Sequence, residues 1–152
     1  MQLEIQQVTP EFAQTERDRL FLAIMESELI CLFHTDPPKY IFIGSILGKI
    51  IGMSEVAILN PTKRKVELPT TLGEISYYVD PEARGHQYGE KLMDHAIGFV
   101  EQTLQLPVCA IVSPDSYSEW LLMTRGFQDI SKDFFGNLPV LNKFYLRDRV
   151  GR

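Results

Sequence analysis

The sequence predicts a single α/β domain, and three observations carry that reading. Short stretches that alternate apolar with polar residues, or run β-branched and apolar, recur at Leu3–Val8, Tyr40–Leu59, Leu72–Val79 and Leu106–Val112. Between and after them, apolar residues return at helical spacing, at Phe12–Phe33, Leu92–Val100 and beyond Ser113. At 152 residues the chain suits one core large enough to need no disulfide or metal staple.

The elements follow in order. "LEIQQV" reads as a first strand, after which Thr9 offers an N-cap oxygen and Pro10 a first-turn φ. Phe12, Leu20, Ala23, Ile24, Leu29, Ile30 and Phe33 mark a helical span long enough for two helices, which "DPP" at Asp36–Pro38 should end. "YIFIGSILGKIIGMSEVAIL" reads as a hairpin about Leu47-Gly48-Lys49. "LGEISYYV" is the fourth strand, and Pro81 cannot donate to a ladder, so it should stop near Asp80. Leu92, Met93, Ala96, Ile97 and Val100 mark one face of the next helix, and "LPVCAIV" is short and apolar enough to be a strand covered on both faces. Two helix starts compete next: Ser113 with Pro114, or the Ser116 to Glu119 capping box, with Gly126 placed to end the helix. "KDFF" and "NKFYLRD" read as closing strands about Gly136-Asn137.

Composition excludes several classes of function. A net charge of −5 argues against a nucleic-acid binder, which needs lysine and arginine against phosphates. No run of about 18 uncharged apolar residues suggests a membrane span, and no basic region followed by an apolar stretch opens the chain. Cys31 and Cys109 sit in apolar runs as reduced thiols, which points to the cytoplasm, and His34, His86 and His95 lack the spacing of a metal site. Cys109 in mid-strand lacks the exposure a nucleophile needs. Lys63–Lys65 is read as solvated surface, with a patch for an acidic partner or a phosphate as the alternative.

The most informative stretch is "YYVDPEARGHQYGEKLMDHA", Tyr77–Ala96. A strand end, a polar elbow with two glycines and an amphipathic helix lie side by side, an arrangement that offers backbone N–H groups and a positive dipole end to a phosphate. Downstream, Asp115 to Phe127 carries an apolar stripe closed by Gly126-Phe127. The strand and helix order with these two stretches resembles the GNAT superfamily of acyl-CoA-dependent N-acetyltransferases. In that family the elbow reads Arg or Gln, two residues, Gly, one residue, then Gly or Ala, usually after "V-x-P". Val79, Pro81, Arg84 and Gly89 match, while Gln87 replaces the inner glycine and Gly85 stands beside it.

The resemblance implies a mixed, mostly antiparallel sheet flanked by helices, with a cleft between the fourth and fifth strands. It implies acetyl-CoA as co-substrate, no metal, and a primary amine of a small molecule or peptide as acceptor, attacked directly in a ternary complex. The coenzyme's pyrophosphate would sit on Arg84, Gly85, His86, Gln87, Tyr88, Gly89 and Glu90. Its pantetheine arm would pair with Tyr77, Tyr78 and Val79, and Asp115 would take the place of the Asn that leads the family's later helix. An amine with a pKa of about 7.7 to 10.4 must lose a proton before it attacks, and Glu74 is the candidate base. The Val79 N–H would polarise the thioester carbonyl. The family's usual acid is a Tyr four residues before the Gly of "Gly-Phe", where this chain has Leu122. Tyr117 and Tyr145 are the candidate substitutes, and unaided departure of the thiolate is the third route.

His86 is read either as a phosphate-facing cation or as a solvated turn histidine, and Trp120 to Met123 either as core or as pocket lining. An acyl-CoA-binding sensor or structural protein without turnover remains the alternative function, motivated by Leu122 and Gln87. A general nucleotide-binding module fits worse, since no glycine fingerprint follows the first strand. The acceptor would be set by Leu20–Phe33, Asn60–Thr71 and the last hairpin, and a homodimer stays open as the assembly.

Overall fold

A computed structural model describes residues 2–9, 11–12, 36–59, 71–135 and 141–149. Among them runs one mixed sheet in the order β1-β2-β3-β4-β5-β7-β6, from β1 (Glu4–Val8), β2 (Asp36–Ile46), β3 (Lys49–Leu59), β4 (Leu72–Val79), β5 (Val108–Val112), β6 (Gln128–Asp129) and β7 (Lys143–Arg147). Every neighbouring pair is antiparallel except β4 and β5. Among the described residues the α-helices are α1 (Tyr88–Gly98), α2 (Tyr117–Thr124) and the short α3 (Ser131–Phe135). A 3-10 turn at Pro81–Ala83 joins β4 to the elbow, and a π-helical stretch, Phe99–Leu104, prolongs α1.

Local chemistry accounts for most boundaries. Thr9 Oγ1 accepts from the Phe12 N–H at 3.2 Å, the expected N-cap. Leu47 and Gly48 both take positive φ, which lets a two-residue turn follow the twist of β2 and β3. Asp80 Oδ1 accepts from Glu82 N at the strand end beside Pro81. Of the two possible starts for α2, the chain uses Ser116, whose Oγ accepts from Glu119 N at 3.1 Å. Gly126, at φ 80°, and Phe127 close that helix through the carbonyls of Met123 and Leu122.

Two expectations need correction. β2 begins at Asp36 and not at Tyr40, and the prolines are accommodated by a register shift between Asp36 and Lys39. "KDFF" is helical: Asp129 Oδ1 accepts from Ser131 N at 2.9 Å and also takes the Ser131 hydroxyl, turning the chain into α3 and leaving a two-residue β6. All of the predicted helical span Phe12–Phe33 beyond Phe12, with Cys31 in it, the predicted loop from 60 to 70 with its Lys63–Lys65, and the predicted Gly136-Asn137 turn lie outside the described residues.

The predicted face of α1 is buried as a stripe of Leu92, Met93, Ala96, Ile97 and Val100. Met93, Ala96, Ile97 and Val100 pack with Phe42, Val56, Ile75 and Val108 from the sheet, with Leu121 and Leu122 from α2 and with Phe127 just beyond it, while Leu92 packs with Ile51 and Val79. Strand alternation puts Gly73, Ile75, Tyr77 and Val79 on this side of β4 and Leu72, Glu74 and Tyr78 on the other, where Leu72 meets Leu59, Cys109 and Phe144.

Leu122, at the position of the family's tyrosine, is a fully buried member of the main core. A tyrosine there must find room for a ring and a hydroxyl in packed apolar surroundings. Leu122→Tyr is therefore expected to lower stability by about 1–3 kcal/mol in urea denaturation, and a variant as stable as the parent would show that the position opens toward the cleft.

Candidate active site

β4 and β5 pair in parallel only at Gly73 with Val108 and Glu74 with Cys109. Beyond Glu74 they part. The direction of the freed backbone follows from the ladder on the other side of β4. Asp80 N donates to Ile51 O at 2.8 Å, which makes Gly52 and Val79 a non-hydrogen-bonded antiparallel pair. The N–H and C=O of Val79 thus point away from β3, and two residues back the same holds for Tyr77. On the same edge, Gly73 N reaches Pro107 O at 2.9 Å, where the two strands still pair. Tyr77 and Val79 therefore present main-chain groups to the gap, while Tyr78 spends its own on β3.

The elbow closes one end of this gap. Gly85 has φ 89°, and Gln87 sits at the N-cap of α1 with φ 64° and ψ 19°, the left-handed conformation that the absent glycine would have taken freely. Gln87 makes no side-chain cap, so among the described residues the first-turn N–H groups of α1 have no capping oxygen from their N-cap residue. Gly89 is required by close approach: a Cβ there would lie 2.8 Å from Tyr77 Cε2. Arg84 folds back, donating Nε to Val79 O at 3.1 Å and lying over the Tyr78 ring.

These groups enclose a cavity of about 490 Å³ lined by Tyr77, Tyr78, Val79, Arg84, Gly85, Gln87, Tyr88, Gly89, Glu90 and Tyr117, all singled out by the sequence, together with Ala83 and Ser118. Ser118 shares a 2.8 Å hydrogen bond with the Tyr77 hydroxyl, tying β4 to α2 across the cavity wall. Burial pushes the Tyr77 phenol above its ordinary pKa. Sequence reasoning missed Ser118, which only the packing of α2 against β4 brings to the cavity.

His86, Glu74, Tyr145 and Asp115 lie elsewhere. His86 does not line the cavity; it is exposed, stacked on Tyr88, with Nδ1 3.3 Å from Ala83 O. Glu74 is 1 % exposed at the point where β4 and β5 part, on the face away from α1. Tyr117 is exposed and stacked on Trp120, itself exposed and not core. Tyr145 is buried, and its hydroxyl donates to Glu119 Oε2 at 2.8 Å. Asp115, at φ 60°, gives its N–H to Glu119 Oε1 at 2.9 Å. Neither Asp115 nor Tyr145 lines the cavity; both belong to a cluster about Glu119, which also meets Lys143 at 3.1 Å. Among the described residues no group of His, Cys, Asp and Glu is arranged to hold a metal ion, and no helix is long and apolar enough to cross a membrane.

The Asp115 N–H and the Tyr145 hydroxyl hold the Glu119 carboxyl below its ordinary pKa of 4.5. A depressed carboxyl adds stability that is complete above its unfolded value and disappears as pH falls through its folded one. The thermal midpoint of the parent should therefore fall more steeply below about pH 5 than that of Glu119→Gln; parallel curves would remove Glu119 from the acid response. For the elbow, Gln87→Gly should raise stability by about 0.5–1 kcal/mol, since glycine takes the left-handed conformation without strain. A loss in chemical denaturation would mean that the glutamine side chain earns its place by contacts.

The Acetyltransferase (GNAT) family model matches residues 3–116. A search of curated proteins gave no match. Solved structures share the fold at low identity. A protein assigned as an acyl-CoA N-acyltransferase from Klebsiella pneumoniae is 20% identical, with a TM-score of 0.64 over 95% of this chain and 96% of its own. The spermidine/spermine N-acetyltransferase SpeG from Vibrio cholerae is 16% identical, with a TM-score of 0.62 over 96% and 92%. The yncA protein from Salmonella typhimurium, solved with its cofactor acetyl-CoA, is 13% identical, with a TM-score of 0.64 over 97% and 94%. With a family model matched over most of its length, a parallel β4–β5 pair that parts at Glu74 and a glycine elbow on the gap, this chain belongs to the GNAT acetyltransferase family and is an acyltransferase.

Proposed function

We propose that the protein transfers an acetyl group from acetyl-CoA to a primary amine, of a small molecule or a peptide, by direct attack in a ternary complex. The observation that carries this reading is the open edge of β4 at Tyr77 and Val79 beside the uncapped start of α1. The coenzyme supplies the acetyl group as a thioester. Main-chain N–H groups from Gly85 to Glu90 suit its pyrophosphate, a compact dianion that a helix start favours without side-chain charge. The amides of the pantetheine arm suit the main-chain N–H and C=O of Tyr77 and the N–H of Val79, whose carbonyl is held by Arg84, as an added strand would. Relatives lend support: yncA was solved with acetyl-CoA, and SpeG is a spermidine/spermine N-acetyltransferase.

Within this reading the Val79 N–H polarises the carbonyl and stabilises charge as it grows on oxygen. Tyr77 offers a second N–H of the same orientation two residues deeper. Glu74 serves as base, at the parting of the strands. Of the two candidate acids, Tyr117 lines the cavity and is the better one to protonate the leaving thiolate; Tyr145 would first have to give up Glu119. The cytoplasmic setting expected from the sequence goes with this proposal. A second reading, a coenzyme-binding sensor without turnover, draws on the burial of Leu122 where the family places its acid.

Glu74→Gln is expected to lower turnover roughly 10²-fold or more while acetyl-CoA binding persists. Gly89→Pro should abolish binding by removing one N–H donor and by adding a Cβ 2.8 Å from Tyr77 Cε2. Free-thiol release over a panel of amines, beside calorimetry with coenzyme A, checks both. Full activity of Glu74→Gln would move the base elsewhere, full affinity of a folded Gly89→Pro would overturn the site, and tight binding by a parent inert toward every amine would favour the sensor.

A further inference from the structure

We propose that Arg125 is a positioning residue for the coenzyme's phosphates, acting by holding and neutralising Glu90. The inference rests on the reading of the cavity as the coenzyme site. Among the described residues two charged side chains line that cavity, Arg84 and Glu90. Arg84 is turned back on the carbonyl of Val79. Glu90 lies in the first turn of α1, where its carboxylate complements the helix dipole but also competes with any other anion drawn to the same N–H groups. An unscreened carboxylate beside a pyrophosphate is a like-charge contact, and a half-enclosed cleft strengthens it.

Arg125, just past the end of α2, answers that charge from outside the cavity. Its Nη2 meets Glu90 Oε1 at 2.7 Å. Nε and Nη2 meet the two oxygens of Asp94, one turn further along α1, at 2.5 and 2.9 Å. Nη1 donates to Leu121 O at 3.2 Å, and the side chain is 15% exposed. The guanidinium is thus fixed in one plane between α1 and α2, and its positive charge is strengthened by both carboxylates. Asp94 is the more exposed partner, at 53% against 30% for Glu90, so water screens it. The consequence reaches the cavity through Glu90: with Arg125 in place its charge is drawn toward α2, and the N–H groups of α1 are left to the phosphates.

The test is calorimetry on the full chain with two ligands, acetyl-CoA and S-acetylpantetheine, which carries the thioester without phosphates. Arg125→Met should weaken acetyl-CoA roughly tenfold and leave S-acetylpantetheine unchanged. Adding Glu90→Gln to that variant should restore affinity to near the parent's, a rescue that a purely structural role for Arg125 would not give. Glu90→Gln alone should bind acetyl-CoA at least as tightly as the parent and with a flatter dependence on salt, a measurement that stands even if Arg125→Met fails to fold. Unchanged acetyl-CoA affinity in a folded Arg125→Met, equal losses for both ligands, a double variant that is not rescued, or weaker binding by Glu90→Gln would each overturn the inference. A parent that binds neither ligand would instead refute the coenzyme site itself.

Discussion

Two parallel residue pairs, Gly73 with Val108 and Glu74 with Cys109, determine where everything else in the site can be. Had β5 stayed beside β4 to its end, the main-chain groups of Tyr77 and Val79 would be consumed in a ladder. Because it does not, an edge opens in the middle of the sheet, where exposed backbone is normally costly and a second chain of amides is the natural occupant. The ladder with β3 fixes which residues face that edge, and the 3-10 turn at Pro81–Ala83 aims the chain so that α1 begins beside it. Gly89 then lets the helix start close on the Tyr77 ring. Strand, gap and helix start are one consequence of a short pairing.

The contacts that seat α2 beside the cavity differ in kind from those that build the gap. Ser118 ties to Tyr77, Arg125 to Glu90 and Asp94, and Glu119 to the Asp115 N–H and Tyr145. All are polar and made by side chains, so they set the charge and seating of α2 against a core already fixed by Leu121 and Leu122. The hydroxyl of Tyr145 illustrates the cost of proximity. It lies on the strand beside β5, yet its proton is committed to Glu119 and its pKa is raised.

Much of this was legible in the sequence where a local rule has a local cause. The stripe on α1, the Thr9 cap, the Leu47-Gly48 turn, the end of β4 before Pro81 and the Gly126 stop each rest on a few adjacent residues. Legibility failed where a distant partner decides. "KDFF" with its paired phenylalanines reads as a strand, but a hydrogen-bonded turn at Asp129 and Ser131, braced by Ser131 Oγ accepting from Phe144 N at 2.8 Å, makes it a helix. Ser118 and Arg125 look like ordinary helix-surface residues until α2 is seated on α1 and β4. Gln87 was read as a departure from the family pattern, and the backbone keeps the glycine conformation there regardless. The catalytic assignments stand apart, since pattern alone cannot say which hydroxyl or carboxylate meets a thioester.

A crystal structure of the parent chain with acetyl-CoA tests the central claim most directly. The account predicts the pyrophosphate on the N–H groups of Gly85 to Glu90 and the pantetheine amides against the main chain of Tyr77 and Val79, with the thioester directed toward the parting of β4 and β5 at Glu74. A coenzyme bound on another surface, or an arm that leaves the open edge of β4 untouched, would contradict it.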